Sequence, residues 1–263
     1  AAVKDIDVPW IVQKMTGSNK SYPKKERDID WEKQDTVLEV KDLCLPKKGG
    51  GWLLDHVSFK LKRGEILGIY GLMGAGRTEV MRCIYGADRC DGGTVEFEGK
   101  PLDRKIGKSI KDGFGFVPED RRNQGFTPLL SIERNVALTN YDTLSKYEFV
   151  DRAGEKKLGN TMVERLRIRP NNSQIPVGNL SGGNQQKAVL AKWLSRDLKL
   201  LIIDEPTAGI DIGAKDEIYR ILEELAAKGT SVIMVSSDLQ ELLRVSHRII
   251  VMRKGEIFTE FSS

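Results

Sequence analysis

The sequence predicts an α/β domain: a parallel sheet flanked by helices, an antiparallel β portion ahead of it, and a helical insertion within it. Three observations carry this expectation. Residues 66–70, 200–203 and 232–235 are continuously apolar, as strands buried on both faces are. Residues 37–43, 57–61 and 94–98 alternate between apolar and polar, which suits antiparallel strands with one wet face. Between about 118 and 179 the chain turns more polar and carries helical stretches such as 152–166.

Taken in chain order, residues 1–35 stand apart. Ile6, Val8, Trp10, Ile11 and Met15 have the spacing of a short amphipathic piece, and polar and charged residues from Thr16 to Asp28 then read as a linker. Regular structure starts at 36, so residues 36–263 form the domain. The apolar strand at 66–70 leads into a glycine-rich turn and a helix with Val80, Met81 and Ile84 on its apolar side. After the helical insertion, helical periodicity returns at 188–194. It returns again at 216–227, where Ile218, Ile221, Leu222 and Leu225 share a face. Residues 248–252, a Lys254-Gly255 turn and 256–261 read as a hairpin.

The bulk composition narrows the function. A chain of 263 residues with 40% apolar and 30% charged residues fits one large soluble domain with length to spare. A net charge of +4 is mild and gives no reason to invoke nucleic acid, which usually demands clustered Lys and Arg on one face. The apolar runs are too short to cross a bilayer, and Lys4, Asp5 and Asp7 interrupt any leader-like segment. Cys44, Cys83 and Cys90 form no C-x-x-C pair and have only His56 and His247 beside them, so they read as buried thiols in a reducing compartment. His247, just ahead of an apolar strand, reads as structural.

Three motifs carry chemistry. In Gly71-Leu72-Met73-Gly74-Ala75-Gly76-Arg77-Thr78, a strand, a glycine turn and a helix start aim backbone N–H groups at one point. The helix's positive end adds to them, so the site suits a di- or triphosphate. Gly71, Gly74 and Gly76 permit close backbone approach, and the Thr78 hydroxyl suits Mg²⁺. Asp204 and Glu205 end an apolar strand, where ligands bind in open α/β sheets. Asp204 is placed to hold Mg²⁺ through water, and Glu205 to polarise an attacking water as general base. Ser181-Gly182-Gly183 opens another helix, with Ser181 as N-cap, and makes a second anion site. One domain rarely needs two such sites for one nucleotide. The second therefore reads as a grip on the γ-phosphate held by a partner's glycine loop.

Together these segments resemble the ATP-binding cassette, the ATPase domain of membrane transporters. The details resemble the second cassette of the two-cassette ATPase proteins of monosaccharide importers for ribose, galactose or xylose. The resemblance covers about residues 36–263. It rests on the glycine loop through Glu79, on Val117-Pro118-Glu119-Asp120-Arg121-Arg122, on Leu180 to Lys187, and on Asp204-Glu205-Pro206-Thr207 through Lys215. Residues 4–30 resemble the tail of a first cassette and its linker, although Thr16-Gly17-Ser18-Asn19 departs from the usual sequence. The chain therefore reads as a fragment that lacks the first cassette and stops early at Ser263.

The resemblance implies a P-loop NTPase fold with a RecA-like parallel sheet core, and ATP and Mg²⁺ as ligands. It places nucleotide contacts at Gly71, Gly74, Ala75, Gly76, Arg77, Thr78 and Glu79, and Mg²⁺ at Thr78 and Asp204. Leu180, Ser181, Gly182, Gly183, Asn184 and Gln185 would contact the partner's nucleotide, and Asp211 belongs to the loop at the dimer contact. Implied partners are a first cassette or a second copy in a head-to-tail nucleotide sandwich, transmembrane permease subunits and, indirectly, a periplasmic sugar-binding protein. The implied location is peripheral, on the cytoplasmic face of the inner membrane.

Three catalytic positions depart from the family's pattern. Arg77 stands for the usual Lys, Glu119 for a Gln, and Ser237 for a His at the γ-phosphate. Serine is shorter and carries no positive charge, and a lost donor at a developing charge costs about 10²–10³ in rate. The expectation is a domain that binds MgATP, hydrolyses it slowly at its own loop, and completes the partner's site with its signature segment. The alternative is a regulatory half that binds ATP and dimerises without hydrolysis. A soluble cassette protein of DNA repair or translation would carry coiled-coil, zinc or basic insertions, which the sequence lacks. Trp52 is the candidate to stack on adenine, with ordinary packing as the alternative, and Phe114, Phe116, Phe126, Leu129 and Leu130 read either as a groove for a permease helix or, for some of them, as plain core.

Overall fold

A computed structural model describes residues 29–147 and 149–262. The amphipathic piece at 6–15 and most of the linker lie outside the described residues. Of the remainder, Trp31–Lys33 forms a 3₁₀ turn, and the Trp31 ring packs on His247 at 4.7 Å. In chain order the elements are β1 (Thr36–Pro46), β2 (Trp52–Lys62), β3 (Ile66–Gly71), α1 (Arg77–Tyr85), β4 (Gly92–Phe97), β5 (Lys100–Pro101), α2 (Ile106–Lys111) and β6 (Phe114–Val117). A π-helical turn (Arg121–Gly125), α3 (Ile132–Ala137), α4 (Tyr141–Leu144), a small hairpin of β7 (Ser145–Lys146) and β8 (Phe149–Val150), and α5 (Arg152–Arg165) follow. The chain continues through α6 (Gly182–Leu194), β9 (Leu200–Asp204), α7 (Ile212–Ala227), β10 (Ser231–Val235), α8 (Leu239–Val245), β11 (Arg248–Arg253) and β12 (Glu256–Ser262).

The larger sheet has the order β12-β11-β3-β10-β9-β6, parallel except for β12. β9 and β10 are buried along their whole length, as continuously apolar strands must be when helices cover both faces. The smaller sheet, β2-β1-β4-β5, is antiparallel. β1 runs further than its alternating stretch predicts, to Pro46, because a bulge between Val40 and Leu43 interrupts the alternation. Asp42 there has φ 50°, and opposite it Gly93 has φ 81°, where a Cβ would lie 2.4 Å from the Asp42 carbonyl. Only glycine fits that approach. His247 is structural: its Nδ1 accepts from the Ile66 N–H at 2.9 Å, and its backbone N–H donates to the Ile66 carbonyl at 2.9 Å.

Of the two readings of the aromatic cluster, the core role holds for its three rings. Phe114 is fully buried with its ring on Phe97 at 4.6 Å, Phe126 is buried, and Phe116 stacks on Tyr85. Leu129 alone of the five is fully exposed, and Leu130 is half-buried. Short strand β6 and the segment after it draw these rings into the core under α6. Among the described residues, no helix is long and apolar enough to cross a membrane.

Candidate functional site

The carboxyl ends of four adjacent parallel strands assemble the site. β3 ends at Gly71 and opens the glycine loop, β9 ends at Asp204, β10 leads to Ser236 and Ser237, and β6 leads to Glu119. The glycine loop needs its glycines for different reasons. Gly74 and Gly76 have φ 78° and 96°. Gly71 does not, but a Cβ there would sit 2.6 Å from the Met252 carbonyl. Gly76 caps α1 and lies against Leu53 and Leu54 of β2, so the antiparallel sheet buttresses the loop. Ala75 is buried, while Leu72 and Met73 project outward, 79% and 96% exposed. Glu79 lies in the first turn of α1, where its charge complements the helix's positive end.

Thr78 and Asp204 meet: the hydroxyl donates to Asp204 Oδ2 at 2.6 Å. Asp204 is 1% exposed, and burial pushes its carboxyl up to about 6. The Thr78 hydrogen bond opposes that shift, and the charges of Glu119 and Glu205 add to it. A buried carboxylate and a hydroxyl side by side, both oxygen donors, fit a hard divalent cation whose remaining ligands come from water and phosphate. Among the described residues no group of three acidic, His or Cys side chains forms a cage of its own.

Arg77 and Ser237 meet at Glu205. The Arg77 guanidinium is turned onto Glu205, Nη1 to Oε1 at 3.4 Å, with both side chains largely buried. The same Oε1 accepts from the Ser237 backbone N–H at 2.7 Å. Ser237 thus reaches Glu205 through its main chain. Glu205 itself has φ 44°, a strained conformation for a non-glycine residue. Glu119 is exposed and acts on Asp204 through its charge.

The segment 180–185 lies elsewhere. A Cβ at Gly182 would meet the Arg121 guanidinium and the Gly209 carbonyl, each at 3.0 Å, and one at Gly183 would meet Ala214 at 2.7 Å. This second glycine turn therefore packs on the loop after β9 and the start of α7. Ser181 has the backbone of an N-cap, but its hydroxyl accepts no helix N–H. It accepts instead from the Asn184 side chain at 2.9 Å, a correction to the capping role. Leu180 is buried, and Gln185 donates to the Leu180 carbonyl at 3.0 Å. Asp211 caps α7 by accepting from the Ala214 N–H at 2.9 Å.

Arg121 stands out in the sequence only as part of its motif. Its Nη1 donates to the Ala208 carbonyl at 2.5 Å, and Nη2 to Gly209 at 3.5 Å. It joins the segment after β6 to the loop after β9, directly under Gly182. Trp52, 49% exposed and edge-on to His56, stands two residues from Leu54, which touches Gly76.

A family model described as ABC transporter matches residues 54–208. The chain is 42% identical over 259 residues to the ribose import ATP-binding protein RbsA of Oceanobacillus iheyensis, covering 98% of this chain and 51% of that protein. It is 42% identical over 267 residues to the xylose import ATP-binding protein XylG of Pseudomonas savastanoi pv. phaseolicola, covering 99% and 51%. The chain spans about half the length of the curated relatives it matches. A nucleotide-free ATP-binding cassette from an ABC transporter matches with a TM-score of 0.77 at 21% identity, over 87% of this chain and 92% of that one. The dimeric post-hydrolysis state of the cassette MJ0796 bound to ADP and Pi matches with 0.75 at 24%, over 86% and 98%. At these identities the likeness is one of fold.

Proposed function

The chain belongs to the ABC transporter family, and we propose that it is an ATPase domain that powers import of a sugar, with slow hydrolysis at its own site. The import role is supported by relatives named for ribose and xylose import, each about twice as long. In such a protein this domain would pair head to tail with another cassette beneath permease subunits, peripheral on the cytoplasmic membrane face.

The observation that carries slow hydrolysis is the double engagement of Glu205 Oε1, by Arg77 and by the Ser237 N–H. A general base must reach the water it activates. Here the atom that would do so is held by a guanidinium standing where a phosphate-seeking ammonium is usual. A broad, bidentate guanidinium settles on a carboxylate more readily than a compact ammonium does. Mg²⁺, when bound with nucleotide at Thr78 and Asp204, supplies neutralisation of phosphate charge. The loop 71–76 cradles the phosphates, and the segment 180–185 contacts a nucleotide held by the partner.

The test is single-turnover ATP hydrolysis beside MgATP calorimetry, for the unmodified chain and for Arg77→Lys with Ser237→His. The expected outcome is binding with negligible turnover, and a gain of at least tenfold in the double variant. Brisk turnover by the unmodified chain would overturn slow hydrolysis. Silence in both proteins would favour the regulatory half that holds ATP without cleaving it.

A further inference from the structure

Glu241 lies on α8, outside every motif discussed so far, yet its buried carboxylate ties together the two loops that hold Glu205. Oε1 accepts from Lys215 Nζ at 2.7 Å and from the Thr207 hydroxyl, and Oε2 accepts from the Ser236 hydroxyl at 3.1 Å. Tyr219 adds a further hydrogen bond. Thr207 stands two residues past Glu205. Ser236 directly precedes Ser237, whose N–H donates to Glu205. The Ser236 hydroxyl also accepts from the Asp238 N–H at 3.1 Å, so Ser237 is pinned on both sides.

Burial alone would raise the Glu241 pKa, but the bonds from Lys215, Thr207 and Tyr219 outweigh it, and the group stays below its ordinary value. A buried charge with this many partners is stable only while all of them keep their places. Glu205 needs such a frame, because φ 44° persists in a non-glycine residue only where its surroundings impose it.

We propose that Glu241 is a positioning residue for the ATPase site: it fixes the loop after β9 against the loop after β10, and so sets the aim of the Glu205 carboxylate at the Ser237 amide. The role rests on the ATPase reading above, since it concerns the aim of that reading's general base.

The experiment follows the backbone amide resonance of Ser237 in the ¹⁵N-labelled 263-residue chain. Glu205→Ala defines the resonance without its acceptor. Two perturbations are compared: Glu241→Gln, and Thr207→Val, which removes the Glu241 partner in the loop after β9 and leaves both Glu241 and the residue next to Ser237 unchanged. The expected result is that both move the Ser237 resonance toward its Glu205→Ala position, while Gly68 and the other amides of β3 stay in place. A Ser237 resonance unmoved in both would overturn the proposal. So would shifts spread across the whole parallel sheet, because Glu241 would then serve the core in general. The resonance is read without turnover, so a silent site leaves this test intact, and fast hydrolysis by the unmodified chain would sink slow hydrolysis without touching it.

Discussion

Asp204 binds its proton more tightly in the folded chain than an unfolded aspartate does, with its pKa pushed up to about 6, chiefly by burial. Its contribution to stability is therefore full below about pH 4 and is lost as pH rises through about 6. Asp204→Asn keeps the shape and removes the titration. It is expected to stabilise the chain by about 3 kcal/mol at pH 7.5 and to give little advantage at pH 4, read from urea melts at both values. An equal gain at the two pH values would show that the carboxylate is not charged at a cost. A cation at Thr78 and Asp204 would displace the same proton, so nucleotide affinity that depends on Mg²⁺ is expected to rise through the same window. The adjacent Glu205 shows what a sequence conceals at this scale. Its identity and its place at the strand end were legible, because two carboxylates after an apolar run can only lie at an edge. Its engagement by Arg77 was not, since a pair separated by 128 residues is set by packing and not by local pattern.

The elements were legible in proportion to how strongly their periodicity recorded burial. β9 and β10 read as buried strands because every residue from 200 to 203 and from 232 to 235 is apolar, and both are buried throughout. α7 read as a helix because Ile218, Leu222 and Leu225 fall on its buried face. The π-helical turn Arg121–Gly125 left no such trace, because its residues are chosen by tertiary partners: Arg121 by the Ala208 carbonyl, and the Gly125 carbonyl by the buried Lys192 at 2.6 Å. Glu241 likewise reads as an ordinary helix-surface charge, since its four partners come from three other segments. One element carries two separable roles. Asp211 caps α7, and Asp211→Ala is expected to cost about 1 kcal/mol in urea melts. Asp211→Asn keeps a side chain able to cap and is expected to be neutral to stability. If Asp211 also serves a dimer contact, the Asn variant loses association with its stability intact. Loss of association only in step with stability would leave it a cap alone.

At the scale of the whole molecule, the two glycine turns point to separate tasks. The loop at 71–78 joins Asp204 and Glu205, whereas Gly182 and Gly183 rest on Arg121, Gly209 and Ala214. If both turns bind anions, as proposed, neither task is completed by one domain, and the proposed head-to-tail pair would satisfy both. Exposed Leu72 and Met73 on the first loop fit a surface that a partner covers. Sedimentation velocity with MgATP tests this through two variants. Glu205→Gln removes the carboxylate proposed as general base and is expected to trap a dimer. Ser181→Arg in the same background puts a bulky cation at the turn proposed to meet the partner's nucleotide and is expected to abolish the dimer. A dimer that survives Ser181→Arg would lie on another surface. The unmodified chain then decides between fast and slow chemistry. If Arg77 and the Ser237 amide hold Glu205 as proposed, ATP outlasts the run, and the unmodified chain dimerises as well as Glu205→Gln does. A dimer confined to the Gln variant would mean that Glu205 escapes its two partners and hydrolyses ATP quickly.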